Sequence, residues 1–382
     1  MKKKIGLVLP TRPQDGGQHR YALLVMQCLV AKADIYYDLV VLGGNSFWKR
    51  WCRKGGVRYL GNSIPNISLM EQKFNESFPL LAKWYYTYLT PFGKVIREEK
   101  IDILFSIHQG IFIPNYNVKI ISPVHDLMHR YEPNFPEVQD SFIQREIYMK
   151  SYAKYAACIL VDSKLGKKQF IESYIKRYVG RPYVVRLPFV ASEDIQNSKE
   201  EYIEVPDKYV FYPAQFWQHK NHLNLIRAIK ILSQSIKDIH LVLVGEEKNC
   251  CKTVKRYIVD NQLEDHITIL GFVSNENLTY LYRHAAGMIM PSYFGPTNIP
   301  PLEAMALGCP VAVSNKYAMP EQVGSAGLLF DPDSPEEMAS CILRLWTDEE
   351  LRKQMIKHGY QRVQKWTERE FAQKLYKIID RL

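Results

Sequence analysis

Along the 382 residues, short runs of β-branched and other apolar positions alternate with stretches whose apolar positions recur every three or four residues. In the first half the runs are IGLVLP (5–10), YYDLVVLG (36–43), DILFSI (102–107), VKIISPVHD (118–126) and CILVDS (158–163). In the second they are YVFYPA (209–214), IHLVLVG (239–245), ITILGFV (267–273), GMIMPS (287–292), PVAVS (310–314) and GLLFD (327–331). Runs this nearly continuous belong to strands covered on both faces, as in parallel sheets wrapped by helices. The pattern predicts an α/β chain of two Rossmann-like, doubly wound domains, over 1–190 and 208–365. Between them FVASEDIQNSKEEYIEVPD (189–207) is polar and without a period, so 191–207 reads as a linker. Loops at the carboxyl ends of parallel strands place the expected ligand site in the cleft that the two sheets face. Over the last segment, 366–382, Phe371, Leu375, Ile378 and Leu382 form an apolar stripe at helical spacing that has to be buried.

Composition narrows the class. With 47% apolar and 24% charged residues and no repeat or low-complexity tract, the chain is an ordered globular one of two-domain size. Seven scattered cysteines, without CxxC or zinc spacing, read as reduced packing residues and predict the cytoplasm. The opening MKKKIGLVLP resembles a signal peptide, but its apolar run stops at Thr11-Arg12, short of the usual ~7 to 15 residues. It reads as a first buried strand. No window approaches the roughly 20 apolar residues of a membrane span, so the expectation is a soluble or peripheral protein. The net charge of +10 is uneven: residues 1–200 hold 29 Lys and Arg against 18 Asp and Glu, and the remainder 21 against 22. That predicts an anionic partner for the first half. Within it, 71–100 clusters Phe74, Phe78, Trp84, Tyr85, Tyr86, Tyr88 and Phe92 with Lys73, Lys83, Lys94 and Arg97. Such a belt suits an anionic membrane surface or a lipid-linked acceptor, and equally a packed helix pair interrupted at Pro79 and Pro91.

Four stretches carry candidate chemistry. Gly16-Gly17, after the first strand and before a helix, lets backbone N–H groups approach a phosphate or sugar hydroxyl. In FYPAQFWQHKNHLNLIRAI, Lys220 stands ahead of a helix N-terminus, suited to neutralising a diphosphate. PVHDLMHRYEP puts His125 at a strand end, with Asp126 able to orient it or to cap the next turn. PSYFGPTNIPPLEAMALGCPVAVS leads through a proline-rich loop to Glu303 at the start of a helix. A carboxylate there can accept from two vicinal hydroxyls, or merely favour the helix dipole.

The segments YPAQFWQHKNH, ITILGFVSNENLTYLYRHA and PSYFGPTNIPPLEAMALGCPVAVSN, with MPEQVGSAGLLFDP after them, resemble in order and spacing the retaining glycosyltransferases of family 4, which have the GT-B fold. Gly16-Gly17, PVHDLMHRYEPNFP and ILVDSKLGKKQF are similar to the family's first-half segments. The resemblance implies a nucleotide-sugar donor held by the carboxy-terminal domain and a glycan acceptor, lipid-linked, held by the amino-terminal one, with a last helix that crosses back to the latter. It implies transfer of a hexosyl unit, mannosyl or similar, with retention, in synthesis of a surface polysaccharide such as O-antigen. His125, Lys220 and Glu303 then match catalytic positions. Gly16, Gly17, Gln215, Lys220, Gly271, Val273, Thr297, Asn298, Ile299 and Glu303 match the donor site. Lys220 and helix ends hold the diphosphate, so no metal or other cofactor is expected.

Two positions depart from the family. Where its first glutamate stands, eight residues before Glu303, this chain has Gly295, leaving Thr297, Asn298 and backbone N–H groups to cradle the sugar and phosphate. Where many members have arginine, it has Gln215, which brings no charge. The missing glutamate motivates a second reading, a catalytically silent GT-B subunit that binds a nucleotide sugar or scaffolds an assembly. The basic first half motivates a third, a nucleic-acid binder, but the chain shows no nucleic-acid module, and no nucleic-acid partner is expected.

Overall fold

In this computed structural model the described residues are 2–32, 36–62, 68–111, 114–177, 182–295 and 297–382. Pro296 of the proline-rich loop lies outside them. The eleven apolar runs all become strands. The first sheet contains β1 (Lys3–Leu9), β2 (Tyr37–Gly44), β3 (Arg58–Tyr59), β4 (Ile103–Ser106), β5 (Lys119–Val124), β6 (Cys158–Val161) and β7 (Tyr183–Arg186). The second contains β8 (Val210–Pro213), β9 (Leu241–Val244), β10 (Ile267–Ile269), β11 (Gly287–Met290), β12 (Val311–Ser314) and β13 (Gly327–Phe330). Their orders are β3-β2-β1-β4-β5-β6-β7 and β10-β9-β8-β11-β12-β13, and every pairing is parallel. Parallel neighbours need crossover connections, and helices such as Gly17–Val30 and His222–Ser233 supply them. Both sheets are thus doubly wound, and the order reverses between β1 and β4 and again between β8 and β11. Pro123 lies inside β5, which a missing N–H would disrupt in a fully paired strand. Pairing with β4 ends at Ile121, and Pro123 stands opposite Leu160 of β6 alone.

The chain forms two units: Met1–Pro133, Val138–Pro188 and Glu370–Leu382 make unit 1, and Asn134–Glu137 with Phe189–Arg369 make unit 2. The last helix, Glu368–Arg381, buries Phe371, Leu375, Ile378 and Ile379. The fourth buried position is Ile379 rather than the expected Leu382, because the helix ends at Arg381. Lys3 Nζ donates to the carbonyls of Ile379 (2.9 Å) and Asp380 (2.7 Å), setting a cation on the helix's negative end. The Phe371 ring meets Tyr21 edge-on.

The polar stretch expected as a linker is laid on the surface of unit 2. Ser192 caps a turn of helix, Glu193–Gln196, whose Ile195 enters the unit 2 core, and Ile203 and Val205 lean on the same core. Asn277 Nδ2 donates to the Glu201 carbonyl at 3.1 Å. Three apolar anchors in a polar run are too few to read as a period, yet they suffice to tie the chain down.

The aromatic and basic belt resolves into three helices, Leu69–Ser77, Pro79–Tyr88 and Pro91–Glu98, with each proline at a first helical position, where no N–H is missed. Gly93 lets the last two approach closely; a Cβ there would stand 1.9 Å from the Tyr86 carbonyl oxygen.

Candidate functional site

In unit 2 the two loops flanking the strand-order reversal are laced together. After β8 the chain passes Gln215, whose Oε1 accepts from the Trp217 indole at 2.9 Å, and enters a single 3-10 turn, Gln218–Lys220. Asn221 follows at φ 61, ψ 37 and starts the helix His222–Ser233. Such a conformation is uncommon for a residue with a side chain. Here the Asn221 carboxamide is anchored, donating to the carbonyls of Pro291 (3.2 Å) and Pro332 (2.7 Å). Tyr293 N donates to the His219 carbonyl at 2.9 Å, and Lys220 Nζ reaches Asn298 Oδ1 at 3.4 Å. The ammonium is thereby brought to the loop after β11, at the place where open parallel sheets bind ligands.

His219 fixes the base of this loop. Its ring stacks on Phe294 with centroids 3.9 Å apart, and its backbone N–H donates to Glu137 Oε1 at 3.0 Å. Its Nδ1 meets the same carboxylate oxygen, while Asn249 Nδ2 donates to Oε2 at 2.8 Å. Burial raises the Glu137 carboxyl, but the His219 and Asn249 hydrogen bonds outweigh it and hold the group down at about 2. Glu137 and Phe135, which packs on Tyr293 and Phe294, belong to the short segment Asn134–Glu137 of unit 2. Sequence reasoning missed both, since nothing local distinguishes Glu137 from its neighbouring acids.

The strand ends beside Gln215 approach each other closely. A Cβ on Gly245, after β9, would lie 2.1 Å from the Ala214 carbonyl oxygen, and Gly245 N donates to the Gly271 carbonyl at 2.8 Å. Gln215, Gly245 and Gly271 thus form a row along the carboxyl ends of β8, β9 and β10. Val273, half-buried against the core, leads into the helix Asn275–His284, which Ser274 caps.

That helix carries Tyr282, whose hydroxyl donates to Glu303 Oε2 at 3.1 Å. The sequence placed Glu303 at a helix start. The structure puts it within the helix Ile299–Ala306, after Pro300, Pro301 and Leu302 and outside the first turn, with 1% exposure. That place, past the first turn, disfavours a dipole role, and the Tyr282 hydroxyl orients the carboxylate. Asn298 and Ile299 open this helix, and Thr297 precedes them, half-buried.

In unit 1 the loops after β1, β4 and β5 converge in the same manner. Gly16 takes φ 60 just before the helix Gly17–Val30. His108 Nε2 meets Gln18 Oε1 at 2.7 Å, while its Nδ1 accepts from Gly110 N at 2.9 Å, which fixes the Nε2–H tautomer. Gln109 Oε1 accepts from the N–H of His125 (2.7 Å) and of Asp126 (3.2 Å). The His125 ring meets Tyr21 edge-on, and burial pushes its imidazole down to about 4, so it is neutral at pH 7. Asp126 caps the following turn, accepting from Met128 N at 3.0 Å, and pairs with Arg145 at 2.8 Å. Burial raises its carboxyl, but the Arg145 charge and these hydrogen bonds hold it at about 2. His125, Gly16 and Gly17 belong to unit 1 and the other expected site residues to unit 2.

Two doubly wound sheets, with loops laced across each reversal of strand order, define a class, and known proteins agree with it. Residues 194–362 match the family described as glycosyl transferases group 1. The chain is 28% identical over 284 residues to the O-antigen chain mannosyltransferase RfbU of Salmonella typhimurium, covering 73% of this chain and 74% of that one. It is 25% identical over 252 residues to O-antigen chain mannosyltransferase B of Escherichia coli, covering 64% and 65% respectively, so the match spans just under two thirds of that relative. Among solved structures, the HepE protein of Anabaena in complex with UDP and glucose has the same fold, at a TM-score of 0.70, 16% identity and 100% of both chains. The chain has the GT-B fold. Its residues 194–362 are a group 1 glycosyltransferase domain.

Proposed function

We propose that this chain is a retaining, family 4 transferase that moves a mannosyl or similar hexosyl unit from GDP-mannose, or a related nucleotide sugar, to a lipid-linked glycan acceptor in O-antigen or similar surface-polysaccharide synthesis. The observation that carries the reading is Lys220, brought to Asn298 across the reversal between β8 and β11, in a chain whose relatives include O-antigen mannosyltransferases. Lys220 neutralises the diphosphate, Glu303 accepts from the ribose hydroxyls, and Gln215, Gly271, Val273, Thr297 and Ile299 line the donor. Gly16 and Gly17 approach its phosphate or sugar, and His125 supports positive charge at the anomeric carbon. The bond from that carbon to the phosphate oxygen breaks, the acceptor oxygen bonds on the same face, and the acceptor's proton passes to the departing diphosphate.

Release of nucleoside diphosphate from GDP-mannose, UDP-hexoses and a dTDP-deoxysugar, with an extracted lipid-linked glycan as acceptor, tests this. GDP release from GDP-mannose is the expected result, unchanged by EDTA because the lysine and helix ends do the work of a metal. Binding without release in every case supports the silent-subunit reading, which Gly295 favours.

The same reading includes peripheral attachment to the inner face of the membrane. Among the described residues no helix is long and apolar enough to cross a membrane. The helix Pro79–Tyr88, however, leaves Leu80 (83%), Leu81 (53%), Trp84 (51%) and Tyr88 (51%) exposed. From Phe78 to Arg97 the chain carries Lys83, Lys94 and Arg97 and no acid, a combination suited to an anionic lipid surface.

A further inference from the structure

At position 295 the Asn298 side chain stands where a side chain would begin. Gly295 has φ 101, and a Cβ there would stand 2.8 Å from Nδ2 and 2.9 Å from Oδ1 of Asn298. The Asn298 carboxamide therefore fills the space into which an acidic side chain at 295 would project. That carboxamide is oriented: Nδ2 donates to the Gly295 carbonyl (3.4 Å) and to Met319 Sδ (3.3 Å), which turns Oδ1 toward Lys220 Nζ.

The backbone of Asn298 is held from a distance in sequence. Its N–H donates to Gln322 Oε1 at 2.9 Å, and Gln322 Nε2 donates back to its carbonyl. Gln322 is buried, and its own carbonyl accepts from Arg362 Nε at 2.9 Å, so the clamp is itself fixed. Only a carboxamide offers the donor and acceptor such a two-point hold requires. Glutamate preserves the accepting half, and methionine, of similar length, preserves neither.

We propose that Gln322 is a positioning residue of the donor site: its hold on the Asn298 backbone sets the Asn298 carboxamide beside Lys220, so that a neutral amide in place of a carboxylate meets the donor. An acid in that place would pair with the ammonium and set a negative charge beside a diphosphate, whereas the amide does neither. Asn298 is then the specificity-determining group and Gln322 acts through it. The inference rests on the reading of Lys220 and Asn298 as donor-site groups.

The test uses the full chain, with GDP affinity by calorimetric titration and KM and kcat for GDP-mannose. Gln322→Met is expected to weaken GDP and to raise KM about tenfold, the loss of one charge-assisted contact, with a smaller change in kcat. Gln322→Glu should recover part of the affinity, and Gln322→Met combined with Asn298→Ala should lose no more than Asn298→Ala alone. A purely structural role predicts a lower Tm with unchanged Kd and KM in the folded fraction; that result, or additive losses in the double variant, overturns the clamp. Absence of turnover in the wild type with GDP-mannose, the UDP-hexoses and the dTDP-deoxysugar alike overturns the transfer reading instead, and affinity for the nucleoside diphosphate that binds still decides the clamp. A wild type that binds none of GDP, UDP and dTDP overturns both.

Discussion

A buried carboxylate bonded to a tyrosine and a lysine bonded to an amide are the two residues on which the proposed donor site turns. Glu303→Gln keeps the shape and one acceptor oxygen for Tyr282 but removes the charge. It is expected to lower kcat/KM about tenfold or more with Tm preserved, and Lys220→Ala to weaken nucleoside diphosphate binding by a similar factor. Wild-type kinetics in both variants would remove the donor site from this place. Acid stability follows from the shifted groups. Burial raises Asp126, Glu137 and Glu146, but hydrogen bonds and cationic partners overcome it and hold each at about 2. Their folded values lie below the ordinary range, so the stability they contribute is whole above about pH 4.5 and lost as pH falls toward 2. His108 and His125, lowered to about 4 by burial, take up protons more readily unfolded, so stability already declines between pH 6.5 and 4. In urea titrations Glu137→Gln should be destabilised at pH 7, with a difference from wild type that narrows at pH 3; an undiminished difference would show that its charge contributes nothing. Lys220 and Glu303 can be proposed from the sequence because each stands in a distinctive local string. Glu137 and Gln322 were not, because their roles arise from contacts 82 and 24 residues away.

At the scale of elements the reading from sequence held wherever a strand is buried on both faces, since continuous apolar runs have few other uses. It missed β3 and β7, the two edges of the first sheet, for the complementary reason. β3 is two residues long, and the four residues of β7 begin with an exposed Tyr183 and end with Arg186. Edge strands are paired on one side only and carry a weaker apolar signature. The belt at 71–100 reads either as a packed helix pair or as a surface for a membrane or lipid-linked acceptor; Tyr86, Phe92 and Ile96 are packed inward, and Leu80, Leu81 and Trp84 are exposed. Tight junctions between elements are where small changes act. Gly245→Ala would drive a methyl group into the Ala214 carbonyl and is expected to cost about 1–3 kcal/mol of unfolding free energy. Because Ala214 adjoins Gln215, nucleoside diphosphate affinity should fall as well. Unchanged midpoints in a urea titration would show that the β8 and β9 ends separate freely.

For the whole molecule, charge and exposed apolar area predict behaviour that no single residue does. Cosedimentation with phosphatidylglycerol vesicles should be strong at low salt, fade as salt screens the charges, and weaken in Leu80→Ser/Trp84→Ser. Equal binding to phosphatidylcholine vesicles would remove the electrostatic part, and an unaffected double variant would remove the helix. The composition of unit 1 carries a different consequence. Its segments lie on both sides of unit 2 in the chain, and Phe371, Leu375, Ile378 and Ile379 complete its core from the far side. On the ribosome, unit 2 emerges in full before that helix does. Its main segment is about 180 residues, and at roughly 5–20 residues per second the nascent first unit waits on the order of 10–40 s with the seat of its last helix open. The segment made first is therefore expected to complete its core only after unit 2 has been made, with its apolar face open to chaperones in that interval.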